Sequence, residues 1–163
     1  MDQRYAVRNP LGFEGYGESA WVLTASDGPG PGSRQRNGVK RSFYGYRARG
    51  VPYRPDDGTL APWGVVAPVP FAPETALPKI RHGQDAFPQP RTPYGFVASF
   101  NPTYPSQSGD ASGWVCRVHF ALNQAPNISM IENYRSGLVW RLMRRCPYVV
   151  AGLRRAGFQN GWL

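Results

Sequence analysis

Apolar side chains recur at Ile131, Tyr134, Leu138 and Leu142, at offsets of 0, 3, 7 and 11. On a 3.6-residue turn that spacing makes one stripe, so the pattern predicts a helix over 128–145 with the four side chains buried together. Arg141, Arg144 and Arg145 suit the C-terminal end of its dipole, and Pro147 stops it. This is expected to be the longest well-ordered helix of the chain. A shorter one is expected over about 149–156, closed by Gly157. Pro73 and Glu74 look like a helix opening, with Ala76, Leu77 and Ile80 on one face, although Pro78 argues against a clean helix there.

Elsewhere the pattern gives way to loops. Before Gly58 there is one short apolar stretch, 20–25, which ends in the turn signal Ser26-Asp27-Gly28-Pro29, and 30–38 reads as a polar, flexible loop. Asp56-Asp57-Gly58 makes a further turn, and the apolar run 60–71 is cut by Pro62, Pro68 and Pro70. The stretch 87–126 is rich in Gly, Pro, Ser and aromatics and is too long for an idle connection, which points to functional loops. With no clear alternating strands and no internal repeat, the expectation is an all-α fold with long aromatic- and Gly/Pro-rich loops.

Composition tests that picture. The 163 residues include 19 Gly and 17 Pro, enough to raise disorder, but also 5 Trp, 9 Tyr and 8 Phe, which a disordered chain would lack. A hydrophobic share of 41% supplies a core, and one domain over 1–163 is expected. Aromatic-rich loops suit a sugar site, because pyranose faces are apolar and stack on Trp and Tyr while their edges need hydrogen-bonding groups. The same aromatics also suit plain core packing.

The net charge of +9 raises nucleic acid as a partner, since clustered Arg and Lys release counterions from phosphates. The basic residues fall in separate places, mainly 34–54 and 135–155, and no zinc-finger spacing, RNA-binding aromatic signature or helix-turn-helix pattern accompanies them. A solvated basic surface is the better reading. Cys116 and Cys146 lie thirty positions apart without CxxC or CxxH spacing, which points away from a metal site and toward buried free thiols, or a disulfide in an exported protein. No cofactor is implied. Residues 1–10 carry charge and no apolar run, so no export signal is read there, and no run of 18 or more apolar residues suggests a membrane span.

Four segments together carry a resemblance. They are Tyr16-Gly17-Glu18 continuing through Trp21 to Asp27-Gly28; Asp56-Asp57-Gly58 to Pro62 with Pro70 to Glu74; Tyr94-Gly95-Phe96 to Phe100-Asn101; and Met130-Ile131-Glu132-Asn133-Tyr134-Arg135 to Gly137. In order and spacing they resemble the C-terminal part of the bacterial glucoamylase-like carbohydrate enzymes, over nearly the whole chain. The resemblance implies an (α/α)6 toroid with a sugar cleft at one end and action on β-linked glucans, β-1,2-glucan above all. It implies an incomplete toroid here, because the helices that precede Tyr16-Gly17-Glu18 in that family have no counterpart, so a companion chain supplying them is an expected partner alongside an oligo- or polysaccharide. It also implies a periplasmic or extracellular parent enzyme.

Glycoside cleavage needs two carboxyl groups, one to protonate the leaving oxygen and one to activate water or attack the anomeric carbon. Glu18, beside Gly17 and near Trp21, is the candidate acid, since partial burial against an aromatic would keep it protonated. Its bland alternative is a sugar or backbone hydrogen bond. Glu132 is the candidate base or nucleophile, against an ordinary i, i+3 ion pair with Arg135. The two are expected to face one concave surface. Trp21, Trp63, Tyr94 and Phe96, with Phe100 and Tyr104, are candidate stacking surfaces, each also a candidate for the core. Asn101, Gln124, Asn133 and Arg135 are candidate hydroxyl ligands; Asp27 and Asp57 are candidates too, with turn formation the competing role. Two positions depart from the family pattern: Asn123 precedes Gln124 where the family has Asp, and Val22 stands where a glycine is expected. Loss of that carboxylate leaves a binding-only or degenerate module as the alternative to a hydrolase or transglycosylase.

Overall fold

The computed structural model describes residues 2–20, 22–51, 53–87, 89–105 and 112–161. A short helix, α1 (Asp2–Arg8), is followed by a hairpin of β1 (Gly32–Arg36) and β2 (Val39–Phe43). A 3-10 turn (Pro62–Val65) and α2 (Pro73–Ala86) come next, then two further antiparallel pairs. These are β3 (Arg91–Thr92) with β4 (Gly95–Phe96), and β5 (Ser99–Asn101) with β6 (Trp114–Cys116). Three helices end the chain: α3 (Ala121–Ser136), α4 (Leu138–Arg145) and α5 (Pro147–Arg155).

Among the described residues the molecule is helix-rich with three small two-stranded sheets, so the all-α expectation holds in part. Its strands are two to five residues long, too short to print an alternating pattern on the sequence. The hairpin occupies the stretch read as a flexible loop. Asn37 and Gly38 take φ of 51° and 77° at its tip, the left-handed pair that a right-twisted two-residue hairpin requires.

Leu23, Leu60, Phe87 and Phe100 form the core, with Tyr5, Tyr16, Ala20, Val51, Ala86 and Val115 packed around it. Leu60 pairs with Phe100 through two backbone hydrogen bonds of 2.8 and 3.0 Å, so the 3-10 turn is delivered directly beside β5.

α2 forms in spite of Pro78. The proline is the sixth helical residue, and it and Glu74, whose carbonyl it leaves unbonded, are both exposed, so water replaces the missing N–H. Pro126 stands at the same place in α3 and is likewise exposed.

The helix expected over 128–145 is broken. Gly137 takes the left-handed conformation (φ 67°), its N–H closes α3 on Asn133 O at 2.9 Å, and Asn133 Oδ1 accepts from Trp140 N at 3.1 Å to cap α4. The expected buried stripe is also corrected: Ile131, Tyr134, Leu138 and Leu142 are 43, 49, 40 and 56% exposed. α3 turns a different face inward, with Asn127 and Asn133 buried and Asn123 and Met130 half-buried, against the 3-10 turn. α4 and α5 contain no buried residue. Trp140 is half-buried against Phe71, while Leu138, Leu142, Met143 and Tyr148 are exposed. Cys116 and Cys146 are half-buried and free. No helix among the described residues is long and apolar enough to cross a membrane.

Candidate functional site

A cavity of about 360 Å³ opens where three segments meet: the turn 24–27, the 3-10 turn bearing Trp63, and the start of α3. Asp27 and Asn123 line it together with Tyr46, Trp63, Phe120 and Leu122.

The Asp27 turn is fixed by its backbone. Ser26 exchanges two 3.1 Å hydrogen bonds with Arg47, and Asp27 O accepts from Ser99 Oγ at 2.7 Å. Gly28 is obligatory, because a Cβ there would lie 2.2 Å from Arg49 Nη2 and 2.4 Å from Tyr44 O. Asp27 and Asn123 spend none of their side-chain polar atoms on other described residues. Trp63 Nε1 is buried without a partner. The wall therefore offers a free carboxylate and a free amide beside aromatic surface, the combination that suits a polyol with apolar faces.

Behind the turn lies an ion pair with both side chains fully buried. Arg49 Nε meets Asp57 Oδ1 at 2.8 Å and Arg49 Nη2 meets Oδ2 at 2.9 Å. Asp57 also accepts from Tyr44 N and Thr59 N. Burial works to raise the Asp57 carboxyl, but the guanidinium and the accompanying hydrogen bonds outweigh it and hold the group below the usual carboxylate range.

The other nominated residues are dispersed. Glu18 is exposed, in an open cleft of about 580 Å³ with Gln3, Arg4, Val7 and Arg8 from α1. Glu132 bonds Ser136 Oγ at 2.5 Å one turn along its own helix, so the ion pair expected with Arg135 does not form, and Arg135 is exposed. Neither cavity described above contains both glutamates. Asp57 is sealed from any ligand by its four hydrogen bonds. Asn101 is fully buried and bonds Asp57 O, Thr59 Oγ1 and Tyr104 N. Asn133 gives its Oδ1 to the helix break, while its Nδ2 is buried without a partner. Gln124 Nε2 ties α3 to Phe96 O at 2.8 Å, and the Phe96 ring lines a small apolar cavity of about 40 Å³ against the core. Phe100 belongs to the core, and Tyr104 packs edge-on to Phe43. Tyr94 is 80% exposed with its ring edge-on to His119. Trp21 lies outside the described residues. Among those described, no group of three or more His, Cys, Asp or Glu could hold a metal ion.

Sequence reasoning missed Tyr46, Phe120, Arg49 and Ser99. Arg49 is one of several arginines in 34–54, and nothing local distinguishes the one that is buried. Ser99 sits two residues before Asn101 on β5, and the same-face spacing of a strand would have linked them had the strand been legible.

The Glycoamylase family of glucoamylase-like proteins matches residues 1–147, and the chain belongs to that family. An exo β-1,2-glucooligosaccharide sophorohydrolase of Parabacteroides distasonis is 35% identical over 161 residues, 95% of this chain and 19% of that protein. The endo-β-1,2-glucanase of Chitinophaga pinensis, solved with sophorotriose and glucose, superposes with a TM-score of 0.76 at 29% identity, over 99% of this chain and 34% of that one. A β-1,2-glucanase structure from Parabacteroides distasonis gives 0.71 at 35% identity, over 94% of this chain and 19% of that one. The chain thus spans a fifth to a third of the length of these relatives.

Proposed function

We propose that this chain forms one wall of the sugar cleft of a β-1,2-glucan hydrolase, and that the cavity around Asp27 is its sugar-binding surface. The observation that carries the reading is the conjunction of an unspent carboxylate, an unspent amide and an aromatic wall in one cavity. A glucose residue would lay an apolar face on Trp63 or Phe120 and present vicinal hydroxyls to Asp27 and Asn123. In the whole enzyme, cleavage would follow the two-carboxylate scheme, with Glu18 and Glu132 as the sequence's nominees and Asp27 the acidic group nearest the sugar. The remainder of an (α/α)6 toroid, on a longer or companion chain, would cover the bare apolar face of α3 to α5 and close the cleft. Relatives three to five times as long support that reading.

A binding-only module is the second reading, favoured by the pairing of Asp27 with an uncharged Asn123 across the cavity. Nucleic acid is disfavoured because basic side chains of the hairpin face their own protein: Arg36 bonds Glu14 and Pro102 O, and Arg41 bonds Gly12 O over the Phe13 ring. Calorimetric titration of the chain with sophorotriose tests the site. Asp27→Ala should weaken binding about tenfold or more, the cost of losing a charge-assisted hydrogen bond to the ligand. A folded chain indifferent to sophorotriose would overturn the reading, and hydrolysis by the chain alone would overturn the need for further helices.

A further inference from the structure

We propose that the buried Arg49–Asp57 pair and Ser99 form a positioning device for Asp27, a role that rests on the cavity around Asp27 being the sugar site. A buried, fully hydrogen-bonded ion pair gives little net stability over a packed apolar pair of the same size, so its value lies in what it specifies. Here the guanidinium does more than neutralise Asp57. Its fork engages both carboxylate oxygens, and the remaining N–H groups go to Ser26 O, Ser26 Oγ, Gly45 O and Tyr44 O. Ser26 is the residue before Asp27, and Gly28, the residue after it, lies flush against the same guanidinium.

The second anchor comes from β5. Ser99 and Asn101 project from one face of that strand, and each hooks a carbonyl oxygen of an aspartate: Ser99 Oγ reaches Asp27 O at 2.7 Å, and Asn101 Nδ2 reaches Asp57 O at 2.9 Å. The backbone of the turn is thereby held on both sides, while the Asp27 side chain is left unspent at the cavity. A lysine at position 49 would keep the charge and lose the fork, since an ammonium cannot meet two carboxylate oxygens and a carbonyl in one plane. A misplacement of about 1 Å in a site can cost on the order of 10²-fold in rate, and a carboxylate shifted that far loses its aim at a sugar hydroxyl.

The test uses the full chain, sophorotriose as probe, and nuclear magnetic resonance of the Asp27 and Gly28 amides. In Arg49→Lys and in the milder Ser99→Ala, those two resonances should move before any ligand is added, with the melting transition of Ser99→Ala retained. Ser99→Ala should weaken sophorotriose binding about tenfold, and the double variant Ser99→Ala with Asp27→Ala should bind no worse than Asp27→Ala alone, because the hydroxyl acts through the carboxylate. Unmoved Asp27 and Gly28 resonances in folded Ser99→Ala would overturn the proposal, as would a further loss of binding in the double variant. If the unaltered chain ignores sophorotriose, the sugar assignment fails on its own, and the ligand-free resonances still decide whether the device holds Asp27.

Discussion

Asp57 and Asp27 both stand beside a glycine in a turn, and their fates differ because of what lies behind each. Asp57 is enclosed by Arg49, and removing one charge of such a pair leaves the other buried and unpaired. Asp57→Asn should therefore cost about 3–5 kcal/mol in urea-induced unfolding, whereas Asp27→Asn should change stability little, because no group among the described residues depends on its carboxylate. The pair also sets the acid limit. The folded carboxyl lies below its ordinary value of 3.8, so its contribution is present above that value and is lost as pH falls through the folded one. Tyrosines set the alkaline limit by the opposite sign. Tyr16 donates to Asp56 Oδ1 at 2.6 Å, and burial together with the Asp56 charge pushes its phenol well above the ordinary 10.0. The same causes bring Tyr5 up to about 12. Stability held by the neutral phenols is complete below pH 10 and falls as the unfolded chain ionises above it. Melting temperatures should thus drop on both sides, below about pH 4 and above about pH 10, and Tyr16→Phe should flatten the alkaline arm.

The elements were legible where one residue dictates local geometry and illegible where packing chooses. Pro73 opens α2, and Pro147, read as the stop of the preceding helix, also opens α5, as a fixed φ favours at a first helical turn. Gly137 was visible too, yet the apolar periodicity running through it suggested one helix, and the break rests on Asn133, whose capping partner Trp140 lies a full turn beyond the glycine. The stripe Ile131, Tyr134, Leu138 and Leu142 has the spacing of a buried face. Spacing, however, says which residues share a side and not which side this chain covers, and the covered side carries Asn127 and Asn133. Of the site, Asp27 and Trp63 could be nominated from sequence and do share a cavity. Arg49 and Ser99 act over 23 and 72 positions, a separation no local pattern records. Gly137→Ala forces a Cβ into the left-handed region and should cost about 1 kcal/mol. Asn133→Ala, losing the cap as well as a buried amide, should cost about 1–2 kcal/mol; far-ultraviolet circular dichroism during unfolding reads both.

Across the whole molecule, stability is divided unevenly. The buried apolar residues Leu23, Leu60, Phe87 and Phe100 all precede α3, while α3 to α5 display Ile128, Ile131, Tyr134, Leu138, Leu142 and Tyr148 to solvent. Arg135, Arg141, Arg144, Arg145, Arg154 and Arg155 surround that face, with Glu132 as the acidic residue among them, so same-sign charge opposes self-association at low salt and is screened at high salt. An apolar patch beyond a few hundred Å² on an isolated chain promotes association or dye binding. Two consequences are expected. Amides of α4 and α5 should exchange with deuterium well before those of β5, because local opening costs little where few apolar contacts are lost. Sedimentation should show association that rises with salt, together with binding of a hydrophobic dye, and Ile131→Lys with Leu142→Lys should reduce both while leaving the main melting transition in place, since neither side chain belongs to the core. A dye-silent, monomeric chain at high salt would mean that the apolar face is covered by its own remaining residues and needs no further helices.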